Sequence, residues 1–170
     1  MDGCWILLGM MGAGKSTVGR LTAELLGLEM IDTDQLVQRR FGRPIHQIFA
    51  LYGEDAFREH ETSILEGLES RPCMLATGGG IVLRPENWLQ FKRLGKSVFL
   101  DVPPEVIKER LKISKKRRPL LETENWTDKF DEIYSKRRET YLQADIVFPV
   151  ITEKLESVAE GLAEKLREIA

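Results

Sequence analysis

Cysteine and histidine are scarce in this chain of 170 residues, with two of each. Cys4 and Cys73 sit in apolar runs without C-x-x-C spacing, so neither a metal site nor a redox pair is indicated. His46 and His60 have no cysteine or third histidine to complete a zinc set, and both are expected on polar helix faces. A surplus of one charge is also missing. Lysine and arginine number 25 against 27 aspartates and glutamates, a net charge of −2, which gives no overall electrostatic case for nucleic acid or membrane binding. No apolar run approaches the roughly 20 residues of a membrane-spanning helix. The first residues lack the basic region and cleavage site of a signal peptide, so the expected location is cytoplasmic. At 42% hydrophobic and 31% charged residues, the composition is that of one ordinary globular domain spanning 1–170.

What is present begins at Gly9-Met10-Met11-Gly12-Ala13-Gly14-Lys15-Ser16, a match to G-x-x-x-x-G-K-[ST]. The apolar run Cys4-Trp5-Ile6-Leu7-Leu8 precedes it, and a helical pattern follows with Val18, Leu21, Leu25 and Leu26 on one face. Strand, glycine turn and helix start are the context that a phosphate-binding loop requires. Its glycines let backbone N–H groups curl inward at phosphate oxygens, and the helix N-terminus adds its dipole. Lys15 is expected as a solvent-facing ligand of the β- and γ-phosphates, and the Ser16 hydroxyl as a magnesium ligand.

Further along, 29–31, 72–76, 97–102 and 145–149 read as strands, alternating with helical stretches near 35–41, 45–52, 54–69, 85–94, 104–111 and 128–144. Leu155, Val158, Leu162, Leu166 and Ile169 mark the apolar face of a terminal helix. The alternation predicts an α/β three-layer sandwich around a five-stranded parallel sheet. Cys4 and Cys73 each stand five residues before a glycine that closes a strand. With those strands as neighbours, the two thiols are expected close together and, in a reducing compartment, free. The guanine motif N-K-x-D is absent, since Asn87 and Asn125 are each followed by tryptophan, and no apolar strand ends in Asp-Glu as a motor ATPase would usually need. A small kinase remains.

Asp32-Thr33-Asp34, Phe57-Arg58-Glu59-His60-Glu61, Thr77-Gly78-Gly79-Gly80, Arg118-Pro119-Leu120-Leu121 and Arg137-Arg138-Glu139-Thr140-Tyr141 follow the phosphate loop in order. Together these motifs resemble the shikimate kinase family from end to end of the chain. The resemblance implies a P-loop fold like that of the nucleoside monophosphate kinases, with a substrate-binding insertion at about 33–61 and a mobile lid at about 112–124. It implies ATP-dependent phosphorylation of the 3-hydroxyl of shikimate, a step toward chorismate and the aromatic amino acids, with Mg2+ as cofactor and a monomeric enzyme.

Several residue roles come with that resemblance. Gly12, Ala13, Gly14, Lys15, Ser16 and Thr17 would bind ATP, with Lys154 beside the adenine in the segment 149–154. Ser16 and Asp32 would hold magnesium, and Asp34 would bind the acceptor hydroxyl and accept its proton. Arg58, Gly79 and Arg137 would bind shikimate, while Arg118 in the lid would join Lys15 in stabilising transferred charge, with Arg117 a second donor. The chemistry suits the residues, because an arginine fork matches a carboxylate better than lysine does. Two alternatives stay open from the residues alone: Asp32 or Asp34 as a helix N-cap, and Arg58 paired with Glu54 or Glu61 along its own helix.

Overall fold

The computed structural model describes residues 2–152 and 154–170. Five parallel strands form one sheet in the order β2-β3-β1-β4-β5. They are β1 (Cys4–Leu8), β2 (Glu29–Asp32), β3 (Cys73–Ala76), β4 (Gly95–Asp101) and β5 (Ile146–Pro149). Helices α1 (Lys15–Leu26), α2 (Thr33–Phe41), α3 (Ile45–Gly67), α4 (Pro85–Leu94), α5 (Pro104–Ile113), α6 (Trp126–Tyr141) and α7 (Leu155–Ile169) connect and cover them. The expected three-layer α/β sandwich is thus what the chain forms. Central strands of a parallel sheet are covered on both faces, which explains why β1 and β3 are buried at every position.

Register aligns the carboxyl ends of the strands on one side of the sheet. Leu7 lies opposite Ala76 and Val98, and Asp32 opposite Ala76. The segments leaving β1, β2 and β3 therefore emerge side by side, where open α/β sheets bind ligands. At the other end, Cys4 pairs in register with Cys73. Their buried thiols are free and lie 2.6 Å apart, as the strand-end spacing anticipates.

Three local expectations change. Helix α1 buries Val18, Gly19, Thr22 and Ala23, while Leu25 is 45% exposed. The helix approaches the sheet closely enough that a Cβ on Gly19 would sit 2.9 Å from Met30 and 3.0 Å from Leu7, and Thr22 donates to the Ala159 carbonyl of α7. Close approach selects small residues over the large aliphatic ones that periodicity favours. The helices expected at 45–52 and 54–69 are one bent element, α3, broken in φ/ψ only at Gly53 (φ 81°, ψ 174°). Beside that bend Tyr52 is half exposed rather than inward. His60 is no plain polar-face residue either, since it packs edge-on against Phe41 with ring centroids 4.4 Å apart. Val37, Ile48, Phe57 and Ile64 form a small apolar cluster between α2 and α3, apart from the main core.

Candidate active site

The phosphate loop turns between β1 and α1 through Gly12 (φ 82°) and Gly14 (φ 94°), both in the left-handed region that glycine tolerates best. Lys15 opens α1 and is buried, 8% exposed, not facing solvent as the sequence suggests. Its ammonium donates to the carbonyls of Gly9 at 2.7 Å and Met10 at 3.0 Å. Burial pulls its pKa down to about 8, opposed by the charges of Asp34 and Asp32. Ser16 donates its hydroxyl proton to Asp32 Oδ2 at 2.6 Å, while Asp32 Oδ1 accepts from the Gln35 N–H at 3.2 Å. Asp32 is therefore a helix N-cap and, at the same time, a hydrogen-bond partner of Ser16 in the phosphate loop. Asp34 falls within the first turn of α2, just past the carboxyl end of β2. Burial, then the neighbouring Asp32 carboxylate, push its pKa above the ordinary aspartate value.

The glycine triplet after β3 packs against the acceptor side of the cleft. A side chain on Gly78 would run into Glu61 Oε1 and stand 3.0 Å from Asp34 Oδ1, and one on Gly80 would overlap the Arg58 guanidinium. These glycines therefore make room for charged side chains, rather than merely loosening a turn. Arg58 is buried and pairs with Glu61 Oε2 at 2.6 Å and with Glu54 at 3.0 Å. The guanidinium lies over Phe57, 5.2 Å from the ring centroid. Glu61 is fully buried, and desolvation raises it to about 7 against the pull of Arg58.

Helix α6 supplies Arg137, 5% exposed. Its Nη1 and Glu61 Oε1 are buried without a hydrogen-bond partner among the described residues. Buried polar atoms are normally satisfied, so a donor and an acceptor left open beside a cleft mark where a polar ligand fits. Arg138, one position along, turns away to Asp101 at 2.9 Å. Tyr141 stacks on Phe99 and donates its hydroxyl to the Gly79 carbonyl, tying α6 to the triplet.

One cavity of about 480 Å³ gathers Gly12, Gly14, Lys15, Ser16, Thr17, Asp34, Arg58, Gly79, Arg118 and Arg137. Three predicted residues stand outside its lining. Ala13 is buried, and its carbonyl accepts from Arg110 at 3.0 Å. Asp32 lies behind Ser16, and Lys154 is an exposed residue just before α7, next to Leu155, which does line the cleft. Within the segment 149–154, Glu153 lies outside the described residues. Sequence reading gave no site role to Glu61, Arg110 or Lys116, which also line this cavity. Glu61 stood three residues after Arg58 in a quoted motif, and the spacing alone named it only as an ion-pair partner. In the lid, Arg117 is committed to Glu122 through Nε at 2.8 Å and Nη2 at 2.9 Å.

Comparison with known proteins agrees with this geometry. A family profile described as Shikimate kinase matches residues 11–169. The chain is 45% identical over 141 residues to a shikimate kinase of Synechococcus elongatus, covering 82% of this chain and 73% of that one. It is 42% identical over 162 residues to a shikimate kinase of Thermosynechococcus vestitus, covering 94% and 87%. The solved structure of shikimate kinase from Acinetobacter baumannii in complex with shikimate superposes with a TM-score of 0.91 at 34% identity, covering 99% and 94%. With a phosphate loop, a buried arginine pair and a basic segment at 116–118 arranged around one cleft, and with these matches along its length, the chain belongs to the shikimate kinase family.

Proposed function

We propose a division of labour within the cleft for this chain's reaction, the ATP-dependent phosphorylation of shikimate to shikimate 3-phosphate. The loop residues Gly12, Ala13, Gly14, Lys15, Ser16 and Thr17 hold the phosphates of ATP, and Lys154 flanks the nucleotide. Phosphate oxygens replace the Gly9 and Met10 carbonyls as partners of Lys15. Arg58, Gly79 and Arg137 hold the acceptor, with the arginines on its carboxylate. Asp34 orients the 3-hydroxyl and takes its proton as that oxygen bonds to the γ-phosphorus and the bond to the bridging oxygen of ADP breaks. Lys15 and Arg118 offset charge on the transferred group. Residues 33–61 form the acceptor-binding region and 112–124 the lid.

A hydroxyl and a carboxylate joined at 2.6 Å, Ser16 and Asp32, are hard oxygen donors of the kind Mg2+ takes alongside phosphates and water. When bound, magnesium supplies charge neutralisation on the triphosphate. Among the described residues no helix is long and apolar enough to cross a membrane, and the two free thiols suit a reducing cytoplasm.

The observation that carries the acceptor assignment is the buried pair Arg58 and Arg137, with Arg137 Nη1 open, facing the same cavity as the phosphate loop. ADP release measured against a panel of acceptors tests it. Shikimate is expected to outperform its amide by about 10- to 150-fold in kcat/KM, the value of one or more charge-assisted hydrogen bonds. Equal turnover of acid and amide would overturn the role of the arginines.

A further inference from the structure

The lid concentrates five cations within seven residues, Lys112, Lys115, Lys116, Arg117 and Arg118, and their surroundings differ. Lys112 pairs with Glu109 at 2.5 Å. Arg117 is held by Glu122. Arg118 turns Nη1 back onto Ser114 Oγ at 3.1 Å and the Lys116 carbonyl at 2.9 Å. Lys112 and Lys115 border only an outer crevice of the lid, beside Leu111 and Trp126. Of the three lysines, Lys116 alone also lines the main cleft, in the company of Lys15, Asp34 and Arg118. Among the described residues no carboxylate lies within ion-pair distance of its ammonium, and its side chain is exposed.

The backbone of Lys116 is engaged within the lid, but its exposed side chain has no carboxylate among the described residues to hold it there. Its charge nevertheless reaches the reacting end of the cavity. Lys116 lines the same cavity as Lys15, Asp34 and Arg118. Between Lys15 and Asp34 runs the path of the γ-phosphoryl group on the reading given above. Phosphoryl transfer is catalysed chiefly by positioning and by cations on that group.

We propose that Lys116 is a third cation on the transferred phosphoryl group, delivered by the lid and acting with Lys15 and Arg118. The inference rests on the assignment of this cleft to ATP and shikimate. Lys116 forms and breaks no covalent bond and moves no proton. Its ammonium remains charged throughout and donates to an equatorial oxygen of the group in flight. Because the lid carries it, the contact is made only when the lid is closed, so its effect falls on the chemical step more than on ground-state binding.

The test uses the full chain with saturating ATP and shikimate, comparing Lys116→Ala, Lys116→Arg and Lys115→Ala with the parent. Lys116→Ala should lower kcat by about 10- to 150-fold, the worth of a hydrogen bond to a charged group, with both KM values within about threefold. Lys116→Arg keeps the charge and should recover most of the rate. Lys115→Ala, lining only the outer crevice, should match the parent. A second readout needs no turnover. ADP, shikimate and tetrafluoroaluminate mimic the planar group in flight, and Lys116→Ala should bind this complex at least about tenfold more weakly while binding ADP as the parent does. A kcat within about twofold of the parent, or a loss confined to the KM for ATP, would overturn the role. So would an arginine variant no better than alanine. A parent that leaves shikimate unphosphorylated overturns the assignment of the cleft and this role with it, whereas an active parent matched by Lys116→Ala removes only Lys116.

Discussion

The phosphate loop and the lid face each other across one cleft, and both present cations to it, yet they are built in opposite ways. The loop hangs from β1, whose Ile6, Leu7 and Leu8 are fully buried, and its lysine is locked onto two backbone carbonyls. The lid has no buried residue in its short 3-10 turn, Pro119–Leu121, and its ion pairs, such as Arg117–Glu122, are largely exposed. Exposed pairs of this kind contribute little, since solvent screens them. The contrast shows how one site combines accuracy with access. Groups that must meet the substrates in a fixed arrangement are anchored in the core, and groups that need only bring charge at the moment of transfer sit where local opening is easy.

Removing the anchored cation should do the most damage. Lys15→Met is expected to lower turnover by about 10³-fold or more, as loss of a preorganised charge at the reacting group does, with circular dichroism unchanged because a methionine refills the buried space. Near-normal ADP formation by a folded variant would dissolve the distinction between a fixed catalytic half and a supplementary lid.

The acceptor side belongs to the anchored half, and adjacent arginines sharpen that statement. Arg137→Ala should raise the KM for shikimate about 10- to 150-fold and leave the KM for ATP nearly unchanged. Arg138→Ala, which removes a half-exposed contact with Asp101, should change the KM for shikimate by less than about threefold. Equal effects would mean that α6 does not hold its two arginines to separate tasks.

A smaller effect follows from Glu61, whose burial raises it to about 7. On the proposed reading, shikimate would bring a second carboxylate to Arg58, which favours the protonated form of Glu61. Binding should therefore take up part of a proton near neutrality, and affinity should weaken severalfold as pH rises through about 7. Titration calorimetry in two buffers of different ionisation enthalpy would detect the uptake, and Glu61→Gln should abolish it. In the unliganded protein the sign is the same. The stability contributed by a raised carboxyl is complete below its ordinary value of 4.5 and is lost as pH rises through about 7. A pH-independent affinity would show that Glu61 does not share Arg58 with the ligand.

The mildest test concerns the lid alone. Trp126 begins α6 and borders the outer lid crevice, so nucleotide should alter its fluorescence as the lid orders. Trp126→Phe should remove the change. A signal persisting in that variant would come from Trp5 or Trp88, in the anchored half, and would blur the contrast.

Much of this arrangement is legible in the sequence, and the unread part has a common physical cause. The five strands and the loop follow from apolar runs and glycine spacing, which are local. Arg58, Asp34, Gly79 and Arg137 follow from motifs in register. The burial of Lys15 does not, because the carbonyls that hold it belong to a loop whose curl appears only in three dimensions. Leu25 reads as core because a helical stripe is judged by its large residues, whereas α1 is pressed so close to the sheet that Gly19 and Thr22 occupy the contact. Arg117 and Arg118 look alike in a run of basic residues. The motif singles out the one before Pro119, but the commitment of Arg117 to Glu122 appears only in the structure.

The strand order has a consequence for how the molecule comes into being. β1, the first strand synthesised, lies at the centre of the sheet, and its two neighbours are β3 and β4. Cys4 and Leu8 therefore wait for Cys73 and Phe99 before the strand has both edges paired. β1 thus precedes both of its partners along the chain and gains them late, since contacts of long sequence separation form slowly. Until then a wholly apolar strand stands unpaired, the kind of exposed segment on which nascent chains aggregate. Helix α1 follows directly from that strand and its amphipathic face gives local cover, but it does not satisfy the strand's edges. Pairing of both edges of β1 is complete only once the chain through Asp101 is available.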